Sequence, residues 1–435
     1  MKEKVYKNRR EQFLKRMKPQ SVAVLFAALP KVRSHDTEHP YRQDSDFYYL
    51  TGFKEDKAAL VFVKDKKECK TILFVQKKDE TLELWTGKRL GKDEAKKRFL
   101  VDKIFTKDTF SEKLKKYLID KKRVYIDIST CDERNIQVKK LADDVKNDRT
   151  AKIAPNEFLH VKAIAQSMRL IKAQEEIELI RKALEITKEA HHKVMRMKKA
   201  GLFEYELQAE YEYEFKRRGA YSDAYTTIIA SGNNGNTLHY IENSVKMKKG
   251  ELILIDAGCE YEMYASDITR TIPASGKFTK AQKEVYETVL DVQLQVIDAI
   301  KPGVNKNDLQ KMARELLCKG LVKLGVLKGD IQELLKDGKD KIYFPHGIGH
   351  WMGIDVHDEC PYKDTEGNEI PLKEGMVLTI EPGLYLREDD ENVPKKYRGI
   401  AIRIEDDILI TADGYENLSQ DIAKTVEEIE SLYDS

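Results

Sequence analysis

Two stretches of this sequence decide the fold: ELILIDAG at residues 251–258 and GMVLTIEPG at residues 375–383. Each is a short apolar run of the length that buried β-strands have. Each ends in the same pattern, Ile-acid-x-Gly, with Asp256 in the first stretch and Glu381 in the second. One match this short could arise by chance. Two matches that each follow a helical region indicate a duplicated α+β unit, in which each half presents an acid at the end of a strand.

A helical region precedes each of the two strands. Before the first strand, apolar residues three or four positions apart form one stripe from Ile177 to Val194, and a second helix follows around Tyr211. Before the second strand, Thr279 and Gln282 have the spacing of a capping box, and Pro302-Gly303 predicts the end of the helix that follows. The same order of helices and strand therefore occurs twice.

Strand alternation predicts two acids on each of two strand pairs. In LILIDA, Asp256 lies on the same face as the two leucines, and DITRT carries Asp267 on one of its faces. A hairpin centred near Tyr261-Glu262 would place these two acids directly opposite one another. The second half repeats the arrangement, with Glu381 at the end of its strand and Glu405 in GIAIRIEDD.

Four carboxylates that converge between aliphatic residues repel one another and lose hydration. They must therefore protonate, pair with cations or bind metal ions. Four negative charges balance two divalent ions, and one imidazole completes the ligands without altering that balance. An oxygen-rich set with one histidine favours a hard or borderline ion, Mn²⁺ first, with Co²⁺, Fe²⁺ or Zn²⁺ also open. The residues predict a two-metal hydrolase, in which water between the ions has a pKa of roughly 7, but they name no substrate.

The stretch HGIGHWMGIDVHD, residues 346–358, holds three of the nine histidines of the chain. His346 and His350 have the i, i+4 spacing of helical zinc sites, but Gly347 and Gly349 argue against a helix there. Taken alone, the stretch leaves open a metal cluster, a proton-transfer group or a glycine-rich core loop. Because the four carboxylates leave room for only one nitrogen ligand, a metal cluster of three histidines is disfavoured.

The first part of the chain has a different pattern, in which short β-branched runs alternate with charged segments. SVAVLFA, AALVFV, KTILFVQ and RVYIDI have the composition of strands, and DEAKKRFL and FSEKLKKYLI that of helices. We therefore predict an α/β domain over residues 1–170 and a separate catalytic domain over residues 171–435.

Composition disfavours several classes of function. Lys and Arg number 77 against 75 Asp and Glu, so no strong field favours nucleic acid or a membrane surface. No apolar run approaches the roughly 20 residues that span a bilayer, and none follows the N-terminal charges as in a secretory signal. The five cysteines are scattered and never form a CxxC pair, which suits reduced thiols in a cytoplasmic protein.

Longer motifs closely resemble those of the pita-bread (creatinase/aminopeptidase-like) metallopeptidases, the group that contains methionine aminopeptidase, prolidase and aminopeptidase P. DAGCEYEMYASDITRT, HGIGHWMGIDVHD, GMVLTIEPGLY and YRGIAIRIEDDILIT look most like the bacterial Xaa-Pro aminopeptidases, and HPYRQDSDFYYLTGF resembles their N-terminal domain. The resemblance covers essentially the whole chain. It implies an α/β N-terminal domain and an α+β pita-bread catalytic domain with an internal pseudo-twofold duplication.

The resemblance also implies roles for individual residues. The expected metal ligands are Asp256, Asp267, His350, Glu381 and Glu405, with Asp267 and Glu405 bridging both ions. His357 and His239 are expected to contact the scissile region, His346 to line the substrate pocket, and Arg403 with Tyr385 to orient acidic ligands and substrate. Glu381 is the expected proton carrier.

The implied reaction is hydrolysis, by a metal-bridging hydroxide, of the bond between any N-terminal residue and a proline in second position. The implied partners are peptides with a penultimate proline and further copies of the chain, as a homodimer or homotetramer. Trp85, in ELWTGKRLG, is simplest to read as a core residue, but the resemblance implies that it reaches the active-site mouth of a neighbouring subunit. Arg42 is predicted to bind substrate in the same way.

Three rival functions share this fold. A prolidase uses the same metal ligands but must recognise the free carboxylate of a dipeptide. A binding module has lost the metals, and a creatinase-like enzyme hydrolyses an amidine without them. All five ligand positions carry the expected side chain here, which disfavours the two metal-free alternatives.

Overall fold

The structure, a computed structural model, describes residues 1–66 and 68–434. The chain divides into an N-terminal unit, Met1–Arg169, and a C-terminal unit that begins at Leu170. The α/β and α+β classes predicted for the two parts are both observed. No helix among the described residues combines the length and the apolar character needed to cross a bilayer.

The N-terminal unit is built on one mixed sheet with helices around it. Its strands are β1 (Ser21–Phe26), β2 (Val32–Ser34), β3 (Thr37–Glu38), β4 (Ala59–Lys64), β5 (Cys69–Val75), β6 (Lys103–Thr106), β7 (Arg123–Ile126) and β8 (Glu157–His160). Its helices are α1 (Glu3–Arg16), α2 (Ser45–Thr51), α3 (Glu80–Thr86), α4 (Gly91–Arg98), α5 (Phe110–Leu118), α6 (Glu133–Asp144) and α7 (Lys162–Arg169). The four predicted strands are β1, β4, β5 and β7, and the two predicted helices are α4 and α5.

The sheet of this unit has the order β6-β5-β4-β1-β7-β8. β1 runs parallel to β7 and antiparallel to β4, so the sheet is mixed. Its central strands are buried along nearly their whole length, which explains why they read as continuous apolar runs rather than as alternating ones. The amphipathic helix α5 supplies Phe110, Leu114 and Leu118 to the core against them.

The C-terminal unit contains the duplicated layout. Its helices are α8 (Gln174–Arg196), α9 (Glu204–Arg217), α10 (Lys280–Asp298), α11 (Lys306–Lys323), α12 (Ile331–Lys336) and α13 (Val426–Asp434). Its strands are β9 (Ser222–Asp223), β10 (Ile228–Ser231), β11 (Leu252–Asp256), β12 (Cys259–Tyr261), β13 (Tyr264–Ala265), β14 (Thr269–Pro273), β15 (Val377–Ile380), β16 (Gly383–Leu386), β17 (Ile400–Arg403), β18 (Asp406–Ile410) and β19 (Tyr415–Asn417).

The helix pairs α8/α9 and α10/α11 precede the two antiparallel strand ladders and pack their apolar faces into one common core. The capping box that opens α10 is confirmed, because the amide of Gln282 donates to Oγ1 of Thr279 at 3.3 Å and the amide of Thr279 donates to Oε1 of Gln282 at 2.8 Å. The helix ends at Asp298, shortly before Pro302-Gly303.

The predicted hairpin of the first half is confirmed, but its predicted register is wrong. Asp256 pairs with Thr269, and Tyr261 pairs with Tyr264, so the tip is Glu262-Met263. Both tip residues have positive φ, 49° and 74°, as a two-residue turn of type I′ requires. Asp267 is therefore not directly opposite Asp256. It lies two residues before Thr269 and keeps the same face, because side chains alternate with a period of two.

The ladder of the second half places its two acids opposite one another. Ile380 pairs with Asp406 and Gly383 pairs with Arg403, in one continuous register. Glu381 and Glu405 lie between these pairs and so face each other. The two ladders join where the amide of Glu405 donates to the carbonyl of Thr269 at 3.0 Å. This junction brings the acids of both halves to one place.

Candidate metal centre and substrate cleft

Three of the predicted metal ligands share one small volume. One ligand atom from each of Asp267, His350 and Glu405 lies within 4.8 Å of the others. Nε2 of His350 is 3.3 Å from Oδ2 of Asp267 and 3.8 Å from Oε1 of Glu381. Asp256 completes the set, and all five side chains line one cleft. The fold thus gathers residues that lie up to 149 positions apart in the sequence.

The histidine loop reaches this cluster because a glycine permits it. A Cβ on Gly349 would lie 1.8 Å from the carbonyl oxygen of Thr379, so only glycine allows the loop to run against β15. The amide of Thr379 then donates to the carbonyl of His350 at 2.9 Å, and the amide of Glu381 donates to the carbonyl of Ile348 at 2.8 Å. The loop is irregular, as its glycines predict, and it delivers His350 beside Glu381.

Hydrogen bonds to backbone carbonyls set the tautomers of two histidines. Nδ1 of His350 lies 3.1 Å from the carbonyl oxygen of Trp351 and must donate to it, which leaves Nε2 as the nitrogen that faces the carboxylates. Nδ1 of His346 donates to the carbonyl of Gly347 at 2.8 Å. Its Nε2 therefore accepts from the hydroxyl of Tyr385, also at 2.8 Å. Nε2 of His350 is thus directed at the carboxylates, whereas Nε2 of His346 is directed at Tyr385.

Arg403 connects the pocket wall to the acids. It donates from Nη1 to the hydroxyl of Tyr385 at 2.9 Å and from Nη2 to Oδ2 of Asp256 at 2.7 Å. Its Nε donates to Oγ1 of Thr269 at 3.2 Å, and that hydroxyl donates to Oε2 of Glu405 at 2.7 Å. A single buried guanidinium thus orients two predicted ligands, one from each half.

Several side chains that hold the site were missed by the sequence reasoning. The hydroxyl of Tyr225 donates to Oδ1 of Asp256 at 2.6 Å, and the amide of Asp267 donates to Oδ2 of Asp407 at 3.1 Å. Thr269 lies two residues after Asp267, so strand alternation places it on the same face. Its alternation with that acid was a usable signal, whereas nothing in the sequence near Tyr225 indicates its contact.

Burial and mutual repulsion disfavour the charged form of the four carboxylates. Burial, followed by the charge of Asp267, raises the pKa of Glu405 well above its usual range. Burial also raises the pKa of Asp256 and Glu381, although Arg403 opposes both shifts. Burial alone would lower the pKa of His350, but its hydrogen bond with Asp267 and the nearby charges raise it to about 9. The cluster therefore favours additional positive charge, such as cations would bring.

The cleft around the cluster has a volume of about 560 Å³, enough for a small peptide segment. Its lining includes His239, His346 and His357 together with apolar side chains such as Ile228 and Leu238. The ring of His357 lies 4.0 Å from that of His350, centroid to centroid. All three predicted cleft histidines are thus gathered at the site.

The two substrate-binding residues predicted in the N-terminal unit lie in that unit and are not part of this cluster. Trp85 belongs to α3 and is 82% exposed, so the alternative interpretation of Trp85 as a core residue is wrong. The charged helix offers no apolar layer for the indole to enter. Arg42 is also exposed, and its Nη1 donates to Oγ of Ser45 at 2.9 Å.

Comparison with known proteins gives consistent matches over the whole chain. The model of metallopeptidase family M24 matches residues 178–412, and that of the N-terminal domain of aminopeptidase P matches residues 6–125. A Xaa-Pro aminopeptidase of Escherichia coli strain K12 is 43% identical and covers 98% of this chain and 97% of its own length.

Two solved structures are similar at the level of the whole chain. Zn-substituted Escherichia coli aminopeptidase P in complex with product has a TM-score of 0.96 and 41% identity, and the match covers 100% of this chain and 98% of that one. Escherichia coli aminopeptidase P with the inhibitor Pro-Leu has a TM-score of 0.96 and 42% identity over the same shares of the two chains.

Proposed function

Because the chain belongs to metallopeptidase family M24, we propose that it is a hydrolase that acts as a Xaa-Pro aminopeptidase and removes the first residue from peptides with proline in second position. The observation that carries the proposal is the joining of a buried cluster of five donors to a cleft wall through Arg403 and Tyr385. Pita-bread proteins without the metals lack the reason to keep such a cluster, and the relatives named above are aminopeptidases rather than prolidases.

The residues present fit a pair of divalent ions. Asp256, Asp267, Glu381 and Glu405 offer four carboxylates, and His350 offers Nε2 because its Nδ1 is committed to a carbonyl. Two divalent ions match their charge, and we propose Mn²⁺ as the resident metal because carboxylate oxygens dominate the set. When bound, the ions supply the Lewis acidity that polarises a scissile carbonyl and acidifies the attacking water.

Glu381 has the position of a proton carrier. It follows β15, faces Glu405 across the ladder, and has His346 on one side, with Nδ1 3.7 Å from Oε2. A carboxylate there can take a proton from the attacking water and release it towards the proline nitrogen as the bond breaks. The proline nitrogen carries no hydrogen in the intact peptide, so it must receive this proton to leave as an amine.

His239 and His357 have the position of hydrogen-bond donors to the developing oxyanion. Both line the cleft and are exposed, whereas His350 is half-buried and its Nδ1 is held by a backbone carbonyl. Donors fixed at that point stabilise the transition state more than the substrate, which is how such groups contribute to rate.

His346 has the position of a wall for the proline ring, and the buried Tyr385 supports it from behind. Their mutual hydrogen bond and the donation from Arg403 satisfy their polar atoms internally. His346 can therefore contact an apolar ligand in the cleft without leaving an unpaired donor behind. A site with an unpaired acceptor for a substrate N–H at this point would reject proline, and the polar atoms of His346 and Tyr385 leave no such acceptor.

A comparison of two substrates tests the proposal. A Xaa-Pro-Pro tripeptide and the matching Xaa-Pro dipeptide are assayed with the Mn²⁺-loaded protein. Efficient cleavage of the tripeptide is expected, because an aminopeptidase leaves the C-terminal side of the cleft open to longer chains. Turnover confined to the dipeptide would indicate a prolidase instead.

We also propose that the protein is a cytoplasmic homodimer or homotetramer. The five cysteines are free thiols, which supports a reducing compartment. Leu84 and Trp85 are each 82% exposed on α3, an apolar pair that favours burial against another copy. Sedimentation of the wild type and of Trp85→Ala tests the assembly, and kcat/KM of the wild type, Trp85→Ala and Arg42→Ala tests whether Trp85 and Arg42 complete a neighbouring site.

A further inference from the structure

A cavity of about 230 Å³, smaller than the catalytic cleft, is lined by residues that include the start of α11 and Trp351 of the histidine loop. Trp351, which follows His350 in the chain, forms part of its wall together with Tyr362, and the two rings are stacked 5.4 Å apart. Lys306, the first residue of α11, lies at the same cavity. None of these side chains has a role in the reaction described above.

Lys306 is a partly buried cation without a counter-ion. No ion pair or hydrogen bond joins its Nζ to any of the residues that the structure describes; the ring of Tyr362 lies 5.1 Å away. Burial lowers the pKa of Lys306 below its ordinary value, and the charges of Glu381 and Glu369 oppose that shift. An ammonium ion in this setting gains from an anion that can approach it.

Lys306 also reaches the catalytic cleft. A Cβ on Gly347 would lie 3.9 Å from its Nζ, and Gly347 lines the cleft next to His346. One helical turn further along α11, Oε1 of Gln310 accepts from the amide of Ile348 at 2.5 Å, which holds the histidine loop against this helix. A ligand held by Lys306 can therefore belong to a molecule that also occupies the cleft.

Trp351, another residue of the cavity wall, also has an unpaired donor. Its side chain is only 1% exposed, yet its indole Nε1 has no hydrogen-bond acceptor in the described part of the chain. Buried donors without an acceptor are uncommon because each forfeits the hydrogen bond that water would have given. Because Nε1 of Trp351 is itself enclosed, the donor that can meet a ligand in this cavity is the ammonium of Lys306. A cation there suits an anionic acceptor rather than a metal ion.

The charges at the cavity favour an anion. Lys306 and Lys363 contribute two positive charges and Glu369 one negative charge, a net of one positive charge. Among anions, a carboxylate matches a peptidase, since peptides carry it at acidic side chains and at the free C-terminus.

We propose that this cavity is a carboxylate subsite, in which Lys306 binds a carboxylate of the peptide substrate; this inference rests on the proposed function. The subsite makes the protein prefer anionic peptides over neutral ones. Two sources share this chemistry, an acidic side chain in the first residue and the C-terminal carboxylate of a short peptide.

Three peptides separate the sources: Ala-Pro-Ala amide, Glu-Pro-Ala amide and Ala-Pro-Ala with a free C-terminus. For each variant, kcat/KM of each anionic peptide is divided by that of the neutral one, so that general losses of activity cancel. The variants are Lys306→Met, Lys306→Glu and, as a matched control, Lys311→Met. Lys311 lies on the same helix, is exposed, and pairs with Asp308 at 3.2 Å.

The wild type should prefer one of the anionic peptides by about tenfold, the factor that one charge-assisted hydrogen bond supplies. Lys306→Met should bring that ratio close to one, Lys306→Glu should invert it, and Lys311→Met should retain the wild-type value. Inversion is a result that a purely structural role for Lys306 does not produce. The peptide whose ratio responds identifies the source.

Unchanged ratios for both anionic peptides in Lys306→Met, with all three peptides cleaved, would overturn the subsite and leave the proposed function standing. A wild type that cleaves none of the three would overturn the proposed function and the subsite with it. The two failures are therefore distinguishable in one experiment.

Discussion

Nη2 of Arg403 donates a hydrogen bond of 2.7 Å to Oδ2 of Asp256. Arg403 comes from the second half of the C-terminal unit and Asp256 from the first, so this ion pair joins the duplicated halves at the metal centre. Both side chains are nearly buried, 5% and 13% exposed. The geometry of one predicted ligand therefore depends on a residue that is 147 positions away and that itself binds no metal.

Replacement of Arg403 by Lys should lower both metal affinity and activity. A lysine ammonium cannot reach Tyr385, Thr269 and Asp256 together, because only the guanidinium has a planar fork of donors. We expect kcat/KM to fall about 10- to 100-fold, as for other residues that orient metal ligands. Kinetic assay with a Mn²⁺ titration measures both effects. Arg387→Lys, at an exposed position, is the control; equal values for the two variants would contradict the role of Arg403.

Replacement of Glu381 by Gln should nearly abolish turnover. The amide keeps the shape of the side chain but can neither accept the proton of the attacking water nor match the charge of the ions. The expected loss in kcat is about 100- to 10,000-fold, the range for removal of a general acid–base group. Glu374→Gln, an exposed acid close by in the chain, should keep the wild-type rate. A near-normal kcat in Glu381→Gln with full metal content would remove the proton role.

The ion pair between Lys172 and Asp358 should stabilise the loop that carries His350 and His357. Nζ of Lys172 is 2.9 Å from Oδ2 of Asp358, with both side chains 1% exposed, and the amide of Asp358 donates to the carbonyl of Trp351. Lys172→Met leaves a buried carboxylate without its ammonium, which typically costs about 3–5 kcal/mol. Denaturant unfolding measures the loss.

The double variant Lys172→Met/Asp358→Asn supplies the control for this pair. Removal of both charges should restore a large part of the free energy of unfolding, since the penalty in the single variant comes from the orphaned charge. Equal instability of the single and double variants would mean that packing, rather than charge, is what Lys172 provides.

His191 should make the C-terminal unit less stable in acid. It is buried, with Nδ1 2.9 Å from the hydroxyl of Tyr211, and burial followed by the charge of Arg270 lowers its pKa to about 3. In the unfolded chain His191 binds a proton near pH 6.5, whereas in the folded state it stays neutral down to about pH 3. The stability that neutral His191 contributes is thus complete above that pH and is lost as the pH falls towards 3, by at most about 1.4 kcal/mol per pH unit.

His191→Gln should reduce this dependence of unfolding free energy on pH by up to one proton. In a Trp85→Phe background, Trp351 is the only remaining tryptophan, so its fluorescence reports the C-terminal unit. The exposed His39→Gln serves as control and should keep the wild-type slope. If His191→Gln also keeps that slope, the buried imidazole is not the group responsible.

Much of the fold could be predicted because its signals are local. Buried strands such as β1 and β4 show as apolar runs, and the capping box at Thr279 marks a helix start independently of what packs on it. The repeated Ile-acid-x-Gly pattern revealed the duplication. The register of the first hairpin could not be predicted, because its type I′ turn is formed by Glu262 and Met263 and lacks the glycine that usually marks such a turn in a sequence.

The site divides in the same way. Acids at strand ends follow from alternation, so Asp256 and Glu381 could be found from pattern. The hydrogen bond from Tyr225 to Asp256 joins positions 31 apart through a loop, and no periodicity encodes it. Lys306 is a similar case, since only the tertiary structure shows that none of the described residues pairs with its ammonium. Such contacts belong to tertiary structure rather than to local sequence.

The central claim is that a penultimate-proline peptide is hydrolysed by residues gathered around divalent metal ions. Its most direct test is kcat/KM for a Xaa-Pro-Pro tripeptide before metal removal, after full chelation and after addition of Mn²⁺, with metal content measured at each stage. We expect activity to disappear with the metal and to return as about two ions bind per chain, the number that balances four carboxylates. Undiminished cleavage by fully metal-free protein would contradict it.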